Sequence, residues 1–201
     1  MTETNTTYQM IKTENFDKVE ITNSGELRSW LLEHHSQEAG VWLVTFKKSE
    51  RGKYVSREEV LDELICFGWI DGIRRKLDAT RTMQLISPRR VQHWAKSYKD
   101  RASKLIQENR MHQSGLDSIQ QGKSSGLWNF MDDVDNLVIP EDLRLALQAV
   151  EGAFEFFDNI NDSSKRFVLR WIKLAKTEQT RSSRIKKIVK LSASGEKLPG
   201  S

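Results

Sequence analysis

Val41-Trp42-Leu43-Val44-Thr45-Phe46 is an unbroken run of β-branched and aromatic residues, the composition of a buried strand. The sequence on either side of it has the period of a helix. Upstream, Asn23 followed by Glu26 reads as an N-cap with its capping glutamate, and Leu27, Trp30, Leu31 and His34 then recur at helical spacing until near Gly40. Downstream, Ser49-Glu50-Arg51-Gly52-Lys53 is a polar turn, and Ser56 with Glu59 repeats the capping box. Val60, Leu61, Leu64, Ile65 and Phe67 form the apolar face of that second helix, which stops at Gly68, where a left-handed cap suits glycine. Trp69-Ile70-Asp71-Gly72 reads as a turn-like tetrapeptide leading to Ile73. Thr82 to Ile86 is a short strand with two available partners: Val41–Phe46, or Ile73–Leu77 across the Asp78–Arg81 turn. Pro88 ends it.

The remainder is helical. Ser97 with Asp100 opens a helix that carries Ala102, Leu105 and Ile106, and Ser114 with Asp117 opens a shorter one that ends at Gly122. Residues 122–139 have the weakest pattern. Pro140, with Glu141 and Asp142 in the first turn, starts the next helix. Phe154, Phe156, Phe157 and Ile160 form an aromatic cluster. Ser163 or Ser164 caps a helix carrying Phe167, Val168, Trp171, Leu174 and Ala175, and a final basic helix holds Ile185, Ile188 and Val189. The expected fold class is α+β, predominantly α-helical with one small antiparallel sheet. Residues 1–15 read as a flexible N-terminal lead-in, 16–126 as an α+β subdomain with the sheet, and 127–201 as a helical subdomain.

With 37% apolar and 30% charged residues and six tryptophans, the chain has the composition of a folded protein and not of a disordered one. No apolar run is long enough to cross a bilayer, and Met1–Thr13 lacks the features of a signal peptide. The single cysteine, Cys66, fits a reducing compartment, so the cytoplasm is the expected location. The net charge of +4 conceals four blocks: residues 1–73 carry −5, 74–110 carry +8, 111–162 carry −8 and 163–201 carry +9. Either the blocks cancel internally on folding, or the basic ones build a positive face.

Most chemistry is excluded by spacing. His34 and His35 are adjacent on a helix and point about 100° apart, and Cys66 has no partner at ligand spacing, so no metal site is expected. Gly122-Lys123-Ser124 resembles the end of a phosphate loop, but Asp117 stands where that loop needs glycine. A nucleophile elbow is absent. Cys66 lies at a helix C-terminus, where the dipole disfavours a thiolate. No catalytic residue and no cofactor is assigned.

Two constellations remain. Cys66-Phe67-Gly68-Trp69-Ile70-Asp71-Gly72 is either a helix stop whose aspartate caps a turn, or the lip of a pocket bearing Trp69 and Asp71. Ser87-Pro88-Arg89-Arg90, with Trp94 and Tyr98 interleaved among further basic residues, either pairs with the acidic blocks or presents cations beside rings to an anion. A secondary basic surface is offered by Arg181, Arg184 and Lys187 within Thr180–Lys190, which equally reads as a solvated helix face.

The Cys66–Gly72 heptad, Ser87–Arg90 with Trp94, the Met111–Gly115 step, Ile139-Pro140-Glu141-Asp142-Leu143, Trp171-Ile172-Lys173-Leu174-Ala175-Lys176 and Thr180-Arg181 together resemble the YdeI/OmpD-associated, bacteriocin-protection family over roughly residues 24–195. The resemblance implies a bacterial cytoplasmic protein loosely tied to tolerance of bacteriocins or cationic antimicrobial peptides, with no established reaction. Ala95 and Tyr98 stand where the family pattern places serine and asparagine, so a polar role for that pair does not carry over.

The leading expectation is a non-enzymatic binder of an anionic, phosphate-bearing ligand or nucleic acid. Arg89 and Arg90 would make bidentate contacts, Trp69 and Trp94 would supply apolar walls, and Asp71 would orient an arginine. The alternatives are an enzyme using Asp71 beside an arginine in a tryptophan-lined pocket, and a stress-response adaptor that binds a protein partner through acidic residues 132–142 or the last basic helix.

Overall fold

The computed structural model describes residues 16–90 and 92–200, so the lead-in assigned to residues 1–15 lies outside the described residues. Four strands, β1 (Lys18–Glu20), β2 (Val41–Phe46), β3 (Trp69–Lys76) and β4 (Arg81–Pro88), form one sheet in the order β1-β2-β4-β3. β4 runs antiparallel to both β2 and β3, so it takes both of the partners that the sequence left open. β1 pairs with β2 in parallel, which makes the sheet mixed at one edge. The antiparallel expectation holds for the other three strands.

One element differs in kind from its sequence reading. Trp69–Gly72 is the first half of β3 and not a turn, because Trp69, Ile70 and Asp71 pair with Pro88, Ser87 and Ile86. Turn-forming residues are accommodated there by a register shift between Asp71 and Arg74, the signature of a β-bulge. Gly72 permits it, since a Cβ at this position would lie 3.1 Å from the Leu85 carbonyl oxygen.

The described residues divide into two compact units. The N-terminal unit takes the chain up to Gln92 together with Tyr98–Ser124. Its helices include α1 (Ser24–His34), capped by Asn23, and α2 (Arg57–Cys66), whose Ser56/Glu59 capping box is formed in both directions. α3 is Lys96–Gln107 and α4 is Gln113–Ser124, two residues longer than its glycine stop suggested. Leu27, Leu31, Leu43, Leu64, Ile65 and Ile86 are core residues. α4 reaches the end of α2 closely enough that a Cβ on Gly115 would lie 2.2 Å from the Cys66 carbonyl oxygen.

The C-terminal unit comprises His93–Ser97 and residues 125–200. It contains α5 (Asp132–Asp135), α6 (Glu141–Gln148), α7 (Ala153–Asn159), α8 (Asp162–Lys173) and α9 (Glu178–Ala193). The one-turn α5 falls in the weakly patterned stretch, anchored by buried Met131 and Val134. α8 is capped by Asn161, whose side chain accepts from the Ser164 N–H, so the serines proposed as caps belong to its first turn. Leu143, Leu147, Phe157, Val168, Ile172 and Ile188 make the core. Among the described residues no helix is long and apolar enough to cross a membrane.

The alternating charge blocks meet inside their own units. Arg101 reaches Asp62, Arg110 reaches Asp62 and Glu63, and Arg81 reaches Glu20, joining the 74–110 block to the 1–73 block. Lys173 meets Asp133 and Arg181 meets Asp142, joining 163–201 to 111–162.

Candidate functional site

The bulge in β3 aims Asp71 toward Gln84 of β4 and Tyr98 of α3. Gln84 is 4% exposed; its side-chain amide donates to Asp71 Oδ2 at 2.9 Å, and its Oε1 accepts from Arg74 Nη2 at 2.9 Å. The Tyr98 hydroxyl donates to Asp71 Oδ1. The Arg89 guanidinium lies over the Tyr98 ring, 5.3 Å from its centroid. Burial, reinforced by the hydrogen bond and charge of Asp71, pushes the Tyr98 hydroxyl up, so it is a hydrogen-bond donor at all ordinary pH. Burial pulls Arg89 down to about 10, against the opposing pull of Tyr98 and Asp71. Asp71, Gln84, Arg57, Glu58, Val60, Leu61 and Arg101 border a cavity of about 130 Å³.

The predicted constellation is therefore split. Asp71 and Arg89 come together through Tyr98. Trp69 does not join them: it is 1% exposed, donates its indole N–H to the His35 carbonyl at 3.1 Å and packs edge-on against Trp30. Trp94 belongs to the C-terminal unit, where it is 2% exposed and lies 5.0 Å from the Trp128 ring. Neither indole can wall a pocket, because each is consumed by core packing. Arg90 is exposed, with Nη2 3.4 Å from the Glu38 carbonyl oxygen. Sequence reading missed Gln84 and Tyr98 as the partners of Asp71. One signal was present: Gln84 and Ile86 alternate inward along β4, and a polar residue on the inward phase of a strand has to be satisfied there. Tyr98, near the start of α3, supplies the hydroxyl donor that holds Asp71.

Beside this site, Glu63 is 5% exposed and bound at 2.8 Å by both Arg28 and Arg110. Burial and the Glu63 charge push the neighbouring Cys66 thiol up to about 11, so it stays protonated and unreactive at neutral pH. Among the described residues no group of three or more His, Cys, Asp or Glu side chains is arranged to hold a metal.

A second site lies in the C-terminal unit, between the end of α8 and the start of α9. Thr177 caps α9 by accepting from the Thr180 N–H at 3.1 Å. Gln179, Ser183 and Lys187, like Thr180 and Arg184, are spaced four residues apart, so they share one helix face. That face and Trp171 line a groove of about 430 Å³. Arg184 lies 5.0 Å and Lys187 5.9 Å from the Trp171 ring centroid, and Arg184 also donates to the Trp171 carbonyl. No carboxylate is among the lining residues. Arg181 differs: it makes a two-pronged contact with Asp142, Nε to Oδ2 at 2.6 Å and Nη2 to Oδ1 at 2.8 Å, and ties α9 to α6.

Residues 136–195, which hold all of this groove, match the family described as Bacteriocin-protection, YdeI or OmpD-Associated. This segment is similar to that family over those residues. Ile139–Leu143, Trp171–Lys176 and Thr180-Arg181 lie within the bacteriocin-protection match, whereas the Cys66–Gly72, Ser87–Arg90 and Met111–Gly115 motifs do not. Those fall in residues 19–118, which match a domain of unknown function, DUF8412. No curated protein and no solved structure showed a significant match.

Proposed function

We propose that the protein is a non-enzymatic binder that holds an anionic, phosphate-bearing ligand in the Trp171 groove of its bacteriocin-protection segment. One observation carries this reading: Arg184 and Lys187 both lie over a half-buried indole in a groove whose lining contains no carboxylate. Cations stacked on a ring are held in place without being neutralised, and charge-assisted hydrogen bonds to them are about twice as strong as neutral ones. Gln179, Thr180 and Ser183 add uncharged donors on the same face. The Arg89/Arg90 segment is the weaker candidate, since Arg89 stands beside Asp71 and the indoles of Trp69 and Trp94 are each buried in their own unit.

The test is titration with nucleotides, short RNA and short DNA at two salt concentrations. Arg184→Ala/Lys187→Ala is expected to weaken binding about tenfold or more and to flatten the salt dependence. No binding by the unaltered protein, or equal binding by the double variant, overturns the reading.

Tolerance of bacteriocins and a cytoplasmic location belong to the same proposal, supported by the family's description and by a single buried cysteine. Cell fractionation and the survival of bacteriocin-treated cells carrying the double variant test them. The enzyme reading required Asp71, an arginine and a tryptophan around one cavity, and no tryptophan lines the Asp71 cavity. The adaptor reading draws on an acidic stretch in which Asp133 and Asp142 are already engaged.

A further inference from the structure

We infer that the Asp71 cavity of the N-terminal unit binds a small zwitterion of the chemical class of a free α-amino acid with a short aliphatic side chain. This goes beyond the groove reading, in a different unit and for a different class of ligand. The size of the cavity comes first. About 130 Å³ is room for about four waters at roughly 30 Å³ each and is far below the roughly 300–1,000 Å³ of sites for drug-sized ligands. A nucleotide is excluded, and molecules the size of alanine or valine fit.

Charge comes next. Asp71 is held from two sides by fixed donors, the Tyr98 hydroxyl and the Gln84 amide, so its carboxylate is pre-oriented and keeps lone pairs for a further donor. Arg57, exposed on the first turn of α2, has no ion-pair or hydrogen-bond partner among the described residues, and its charge is felt at Arg74. Arg101 adds a second guanidinium, bound on one side to Asp62 at 2.6 Å. Val60 and Leu61 supply an apolar wall between these poles. A simple anion would meet the Asp71 and Glu58 carboxylates, and a simple cation would meet Arg57 and Arg101. A molecule with an ammonium and a carboxylate on one carbon satisfies both poles, and its aliphatic side chain covers the apolar wall.

The experiment is calorimetric titration of the full-length chain with L-alanine and L-valine, with propionate and propylamine as singly charged controls. Binding of the amino acids is expected, with each control about tenfold weaker or worse. Asp71→Asn is expected to abolish the preference for alanine over propionate, a change of selectivity that a purely structural role would not produce. Should that variant fail to fold, Arg57→Ala on the exposed first turn carries the test, with its fold checked by circular dichroism and its alanine affinity expected to fall about tenfold. Propionate or propylamine binding as well as alanine, an Arg57→Ala affinity equal to that of the unaltered chain, or no binding of either amino acid at millimolar concentration overturns the inference.

Discussion

The N-terminal unit buries Glu63, the carboxylate that two of its arginines share, whereas the C-terminal unit meets its cations at the surface. Glu63 is almost wholly enclosed between Arg28 and Arg110, and Asp71 is held by Tyr98 and Gln84 in front of Arg89. In the C-terminal unit, Asp133 and Asp142 are about half exposed where they meet Lys173 and Arg181, and Arg184 and Lys187 rest on an indole. The same sequence signature, basic residues interleaved with aromatic ones, has thus produced an internal network in one unit and an open cationic groove in the other. What separates the two outcomes is whether a distant segment delivers a carboxylate to the cations. A basic run in a sequence is evidence for an anion site only after its acidic neighbours in space are known.

The contrast predicts unequal costs of disruption. Glu63→Ala leaves two partly buried guanidinium groups facing each other without their shared carboxylate, and is expected to cost about 3 kcal/mol or more in urea unfolding. A loss below about 1 kcal/mol would mean that this network is no more than a surface feature. Arg181→Ala removes a half-exposed pair, and its cost is expected to stay within about 1 kcal/mol in the same measurement. An effect as large as that of Glu63→Ala would erase the distinction between the units.

A third, smaller effect is in pH. Burial, with the charges of His35 and Arg28, holds His112 of the N-terminal unit below the ordinary histidine value. The unfolded chain therefore takes up a proton near pH 6.5 that the folded chain refuses, so this contribution is present above about pH 6.5 and is lost as pH falls below it toward the lower folded value. Urea midpoints at pH 7 and pH 5.5 are expected to differ less in His112→Gln than in the unaltered chain. An unchanged difference would remove His112 as a cause.

Legibility along the chain followed the range of the interactions. The caps at Asn23 and Ser56 and strand β2 were readable because each depends on neighbours within a few residues. Trp69–Gly72 was misread because glycine and aspartate favour turns locally, while the ladder to β4 that overrides them comes from residues 86–88. Trp69 and Trp94 were read as walls because a sequence does not distinguish an indole that packs from one that lines. Arg184 and Lys187 were readable as a basic face, but not their seat on Trp171, which required the turn between α8 and α9 to close.

By itself, the sequence determined that this chain is a helix-rich α+β protein with a small sheet, with alternating charge blocks and with a C-terminal segment similar to the bacteriocin-protection family. Each of these rests on local propensity, composition or motif. Only the tertiary structure decided which cations are matched by carboxylates, which tryptophans are core, and that Asp71 faces a cavity through the bulge in β3. Those outcomes depend on burial and on partners many residues away, and burial sets the cost of an unpaired charge.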